Sequence, residues 1–218
     1  FLNDILVDRV DKDLERFFQE YQEELFSRRK ENDKRALKRR VDRYNAKPRC
    51  EITLPDGRKH AFWSPTREIT LFGLLAELHV VDPGILNLDV LDYDDHSGID
   101  MLVRRNGDPS DLLNRNKVAY VELKFELTSQ LNHAFENLHS IICWESILKP
   151  DDVVRDAGNN VFSLQENKVE GVTHSRLVPP PNGRISHNIQ VIVLRRLLRE
   201  KYQLKESANP SPVTVSAK

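Results

Sequence analysis

Asp100, Glu122 and Lys124 are the residues of this chain whose types and spacing could do chemistry together. Asp100 lies in the segment 98–103, and Glu122 and Lys124 lie in 118–125. Both segments are rich in Val, Ile, Leu and Tyr and bounded by turn residues, which predicts two strands. Side chains alternate along a strand. Val121, Leu123 and Phe125 therefore share one face, and Glu122 and Lys124 share the other. If the two strands pair, two carboxylates and an ammonium converge. Magnesium takes oxygen ligands and keeps several waters, so two carboxylates and a phosphate suffice to hold it. A lysine beside such an ion can orient an attacking water or neutralise developing negative charge.

The elements that must position these groups follow from pattern. Residues 1–47 contain no Gly or Pro and repeat apolar residues at three- and four-residue spacing, through Leu6, Val10, Leu14, Phe17 or Phe18, Tyr21 and Leu25. That predicts a helical arm, one long helix or a helical pair. Its charge is split. Residues 1–27 hold eight acids against three bases, a balance of −5, and residues 28–49 hold eleven bases against three acids, a balance of +8. Arg28, Arg29, Lys38, Arg39 and Arg40 are then either a solvated face laced with ion pairs or a face that tracks phosphates. A charge-split helix can also pair antiparallel with a second copy, so a homodimer through the arm is one expected partner. A larger parent polypeptide is another.

Residues 48–206 read as an α/β domain. A hairpin spans 50–63 around Pro55-Asp56-Gly57. A helix capped by Ser64 or Thr66 runs to about Val81 and stops at Asp82-Pro83-Gly84, with Glu77 at the edge of its apolar stripe. A strand at 86–93 leads into a turn where Asp92, Asp94 and Asp95 read as turn chemistry and His96 as a loop histidine. Arg104 and Arg105 lead into a polar loop at 106–116, where they touch phosphate or simply stand exposed. Residues 131–148 predict a helix with the stripe Leu131, Phe135, Leu138 and Ile142, which sets His133 and Asn137 one turn apart on one face. A short strand at 161–164, a buried strand at 188–194, a helix at 195–202 and a disordered tail or linker at 207–218 complete the chain.

The order helix with Glu77, strand with Asp100, strand with Glu122-x-Lys124, then helix resembles the PD-(D/E)xK nuclease superfamily. The resemblance covers roughly residues 66–148 and the strand near 188–194, with Ile99 standing where the Pro that names the superfamily would be. It implies a restriction-endonuclease-like fold, a central mixed β-sheet flanked by helices. It implies an Mg²⁺- or Mn²⁺-dependent phosphodiester hydrolase acting on DNA. Asp100, Glu122 and Glu77 would bind the metal, Lys124 would position or activate the water, and His133 and Asn137 would be auxiliary. Arg28, Arg29, Lys38, Arg39, Arg40, Arg104 and Arg105 would meet nucleic acid. The alternative is a catalytically inactive module of the same fold that binds nucleic acid or protein within a larger protein.

Composition bounds these expectations. Charged residues are 31% against 39% hydrophobic, with a formal net charge of −1, so net charge alone does not point to nucleic acid. Two cysteines, Cys50 and Cys143, cannot build a disulfide framework. Cys143 in mid-helix would be a small core residue rather than a nucleophile. No P-loop or dinucleotide glycine pattern is present. No apolar run approaches the roughly 18 residues of a membrane span, and no signal peptide is visible. The expectation is an intracellular, cytoplasmic protein without a membrane partner. A chain that begins at Phe1 and has Met101 as its one methionine reads as a fragment of something longer.

Overall fold

The computed structural model describes residues 2–86, 88–94, 100–105 and 118–207, with side chains from Leu14 onward except that of Arg105. The expected turn around Asp95 and His96, the polar loop from 106 and the tail beyond 207 lie outside the described residues. The chain divides into two compact units, one built on Phe1–Lys47 and one on Pro48–Ala208.

The first unit is α1 (Leu2–Asn45), one uninterrupted helix rather than a pair. Ion pairs one turn apart lace its surface: Arg16–Glu20 at 3.9 Å, Glu24–Arg28 at 2.6 Å and Glu31–Arg35 at 3.4 Å. Exposed pairs of this kind add a few tenths of a kcal/mol each. Leu14, Phe18, Tyr21 and Leu25 form one exposed stripe. Leu37, also exposed, lies about 140° round the helix from Leu14 at 100° per residue.

The second unit is α/β. β1 (Arg49–Thr53) and β2 (Lys59–Trp63) form the expected hairpin, with Gly57 at φ 83° in its turn. The free edge of β1 pairs with β11 (Lys205–Ser207), so Ser207 belongs to a three-stranded sheet rather than to a tail. α2 (Glu68–Val81) follows. Its N-cap is Arg67, not Ser64 or Thr66. The Thr70 hydroxyl accepts the N–H groups of Thr66 at 2.9 Å and Arg67 at 3.1 Å, which ties the entry loop to the first turn.

Among the described residues the main sheet has eight strands in the order β3-β4-β5-β6-β10-β9-β8-β7. They are β3 (Leu88–Tyr93), β4 (Met101–Arg105), β5 (Val118–Leu127), β6 (Leu138–Ser146), β7 (Val153–Arg155), β8 (Val161–Val169), β9 (Val172–Val178) and β10 (Ile189–Val193). The pairs β5–β6 and β6–β10 are parallel and the rest antiparallel, so the sheet is mixed. β8 and β9 join through Glu170-Gly171, both at positive φ (50° and 84°), as a two-residue hairpin turn requires. On one side, α2 presents Leu71, Leu74, Leu75 and Leu78 to Val121, Leu123, Ile142 and Trp144, and α3 (Leu194–Tyr202) adds Leu194, Leu198 and Tyr202. A second apolar cluster takes the alternate residues of β6, Ile141 and Cys143, with Phe135, Phe162 and Leu177.

Residues 131–148 do not form the expected helix. A 3-10 turn at Phe135–Asn137 leads directly into strand β6. Ile141, Ile142, Cys143 and Trp144 are consecutive and all buried. A helix packed on one side buries a stripe, whereas a central strand with neighbours on both edges buries both faces. Four successive apolar residues fit only the second.

Candidate active site

β5 carries the centre of the site. The antiparallel register sets Met101 opposite Val121, so Asp100, one residue before β4, comes level with Glu122. The Asp100 Oδ2 accepts the Leu123 N–H at 2.7 Å. Its carbonyl accepts the Asp94 N–H at 3.0 Å, which fixes the entry to β4. The Glu122 side chain is 0% exposed. Its Oε1 meets the Lys124 Nζ at 2.7 Å as an ion pair rather than a well-directed hydrogen bond, and stands 3.4 Å from the His133 Nε2. Its Oε2 is buried with no hydrogen-bond partner among the described residues. Lys124, 15% exposed, also meets the Glu68 Oε1 at 3.4 Å.

The loop that brings His133 to Glu122 is fastened from below. Leu131 donates its N–H to the Arg155 carbonyl at 2.8 Å, and Arg155 donates its own to Ser129 at 2.9 Å. The buried Asp156 accepts the Phe135 N–H at 2.8 Å and two hydrogen bonds from Asn160. Burial alone would raise the Asp156 pKa, but the hydrogen bonds from Asn160 and Phe135 outweigh it and hold the carboxyl below its ordinary value. Asp156→Ala strands those donors. The expected cost is about 2–3 kcal/mol, read as a lower midpoint in urea unfolding. An unchanged midpoint would mean the loop does not depend on Asp156.

Several expected site residues lie elsewhere. Glu77 is not at the site; its Oε1 pairs with the His60 Nε2 at 2.8 Å. Nine residues separate it from Glu68, which puts the two on opposite sides of α2 and about 13 Å apart along its axis. Glu68, in the first turn, is the helix carboxylate that reaches Lys124. Asn137 is exposed in the 3-10 turn, and without an α-helix it shares no face with His133. The Arg104 side chain is 13% exposed, and one of its terminal nitrogens is buried with no hydrogen-bond partner among the described residues. Arg104 lies across from Asp89 and bonds its Oδ2 through Nε at 3.3 Å and a terminal nitrogen at 3.1 Å. The Arg105 side chain lies outside the described residues. Arg29, Lys38, Arg39 and Arg40 are exposed on α1, and Arg28 is exposed but paired with Glu24. Burial pushes the Cys50 thiol up to about 11 and the Cys143 thiol up to about 12, so neither is a nucleophile at neutral pH. Cys143 is a core residue of a strand, not of a helix.

The electrostatics follow from the crowding. Asp100, Glu122 and Glu68 surround one ammonium. Burial, opposed by Lys124 and reinforced by Asp100 and Glu68, pushes Glu122 up to about 7. Burial also raises Asp100, against the pull of the Leu123 N–H and Lys124. For Lys124, burial favours the neutral amine, but the Glu122 carboxylate outweighs it and raises the pKa. Lys124 is therefore a fixed cation. Beside these groups opens a cleft of about 400 Å³ lined by Arg67, Glu68, Ile69, Tyr93, Asp100 and Phe125.

No family model, curated protein or solved structure matches the chain. Among the described residues no three His, Cys, Asp or Glu side chains form a ready-made metal cage. Among the same residues no helix is long and apolar enough to cross a membrane.

Proposed function

We propose that this chain is a divalent-metal-dependent phosphodiester hydrolase acting on DNA, with a restriction-endonuclease-like arrangement of β4, β5 and α2 around its site. The observation that carries this reading is Glu122: a buried carboxylate with an orphaned Oε2, level with Asp100 and ion-paired to Lys124. Three carboxylates around one ammonium leave an excess of negative charge, and their hard oxygen donors suit Mg²⁺ or Mn²⁺. Asp100 and Glu122 would hold the ion, with Glu68 directly or through water. When bound, it supplies Lewis-acid polarisation of the phosphate and a more acidic water.

The chain's own residues do the rest. Lys124 stays protonated, so it orients the attacking water and neutralises charge on the phosphate oxygens; it does not remove a proton. Glu122 holds that ammonium in place, and the His133 Nε2 stands 3.4 Å from the same oxygen. Arg67, exposed at the mouth of the cleft, meets a backbone phosphate. Arg29, Lys38, Arg39 and Arg40, exposed on α1, would also meet nucleic acid. The second reading is a catalytically inactive binding module. Strand β6, standing where the resemblance calls for a helix, favours it.

Glu68 and Glu77 test the assignment against each other. Mn²⁺ binding, followed by titration calorimetry, is expected to weaken about tenfold in Glu68→Gln, by analogy with outer ligands of metal sites. Glu77→Gln should bind as the parent does. Loss of binding in Glu77→Gln with Glu68→Gln unaffected would overturn the site drawn here.

A further inference from the structure

The cleft beside the carboxylates is only half polar. Arg67, Glu68 and Asp100 line one part, and Ile69, Tyr93 and Phe125 line the other. Phosphodiester chemistry needs the first set but not the second. Ile69 is exposed although it is a large apolar side chain on the first turn of α2. The Tyr93 ring stacks on Phe72 with centroids 3.8 Å apart and planes 8° from parallel. Phe72, Tyr93 and Phe125 all pack against the main core. The aromatic wall is therefore backed by the core, and Tyr93 and Phe125 also line the cleft.

A recess of about 400 Å³ falls within the usual size of small-ligand pockets, roughly 300–1,000 Å³. An apolar, aromatic wall beside a phosphate site is what an unpaired base needs. Every base has a π-face, and stacking on an aromatic side chain is tolerant of sequence. A base inside a continuous duplex cannot enter such a recess without leaving its own stack, which costs a few kcal/mol. We infer that the cleft takes an unpaired nucleotide next to the scissile phosphate, its base against Tyr93 and Phe125 and its phosphate at Arg67. The substrate is then single-stranded DNA, a flap or a frayed end rather than continuous duplex. This inference rests on the hydrolase proposed above.

The test separates the two. The full chain is titrated, with Ca²⁺ in place of Mg²⁺, into a single-stranded oligonucleotide and a blunt duplex of the same sequence, each carrying 2-aminopurine. Binding is read by anisotropy and stacking by quenching of the 2-aminopurine. The single strand is expected to bind at least tenfold tighter than the duplex and to be quenched. Tyr93→Leu should lose about tenfold on the strand, lose the quenching and leave the duplex unchanged. Tyr93→Phe, which keeps the ring, should behave as the parent, and equal melting temperatures show that the variants fold. Equal affinity of the parent for strand and duplex overturns the inference, as does quenching that persists in Tyr93→Leu. Either result leaves the hydrolase intact if Mn²⁺ still binds and duplex is cut. A parent that binds and quenches the strand but cuts nothing keeps the inference and removes the hydrolase.

Discussion

Lys124→Ala is expected to lower the turnover of DNA cleavage by about 100- to 1,000-fold while substrate affinity changes by no more than a few-fold. That is the usual loss when one fixed charge aimed at a transition state is removed. The ammonium has two carboxylate neighbours and is almost out of solvent, which fixes it beside Glu122. Burial already favours the protonated form of Glu122, and without Lys124 that preference grows. The variant then keeps its fold by holding a proton rather than an unpaired buried charge. Because the missing group acts on the reacting phosphate and not on the ion, more Mg²⁺ or Mn²⁺ should not restore the rate. Asp100→Asn removes a ligand charge instead, and excess metal is expected to rescue it in part. Turnover and apparent affinity, measured for both variants over a metal titration, distinguish the roles. A Lys124→Ala enzyme that cuts as fast as the parent would show that the ammonium is structural.

Glu122→Gln is expected to abolish cleavage and at the same time to stabilise the protein in the absence of metal. The sign follows from the proton balance. The unfolded chain releases the Glu122 proton near 4.5, and the folded protein near 7. Between those values the folded state binds more protons, so the stability tied to this group is fully present below about 4.5 and is lost as pH rises to about 7. A shift of this size is worth roughly 3 kcal/mol at most. Part of the gain is forfeited because Lys124 loses its counter-charge. Urea midpoints at pH 5 and pH 8 read the effect: the parent should fall between them and Glu122→Gln should fall less. A residue that lowers stability where it stands and is indispensable for turnover is a functional residue. Glu122→Gln that cuts normally, or that is less stable than the parent at pH 8, would remove that argument.

The parts of the site that were legible in the sequence are those written in a period. Alternation in β5 placed Glu122 and Lys124 on one face, and they form an ion pair there. The spacing of Asp100 from β5 is long enough for an antiparallel return, and the register brings it level with Glu122. The helix carboxylate that reaches Lys124 is Glu68 and not the expected Glu77, because an apolar stripe tells which face of α2 is buried, not which end of the helix approaches β5. Glu68 carried a signal, being a carboxylate in the first helical turn directly after the entry loop. The strand β6 was hidden by coincidence. Leu131, Phe135, Leu138 and Ile142 are spaced as on a helix, yet the uninterrupted run from Ile141 to Trp144 is the mark of a strand buried on both faces. β7 and β11 have three residues each, too few to show a period, and β11 has no apolar residue at all, so their pairing partners rather than their own patterns mark them as strands.

The most direct test of the account is a cleavage assay of the parent chain on single-stranded, flapped, linear duplex and circular DNA, with Mg²⁺, with Mn²⁺ and with EDTA. Phosphodiester cleavage is expected to require the divalent ion and to be lost in Lys124→Ala. A folded parent that cuts none of these substrates at any metal concentration, or that cuts them equally well in EDTA, would contradict it.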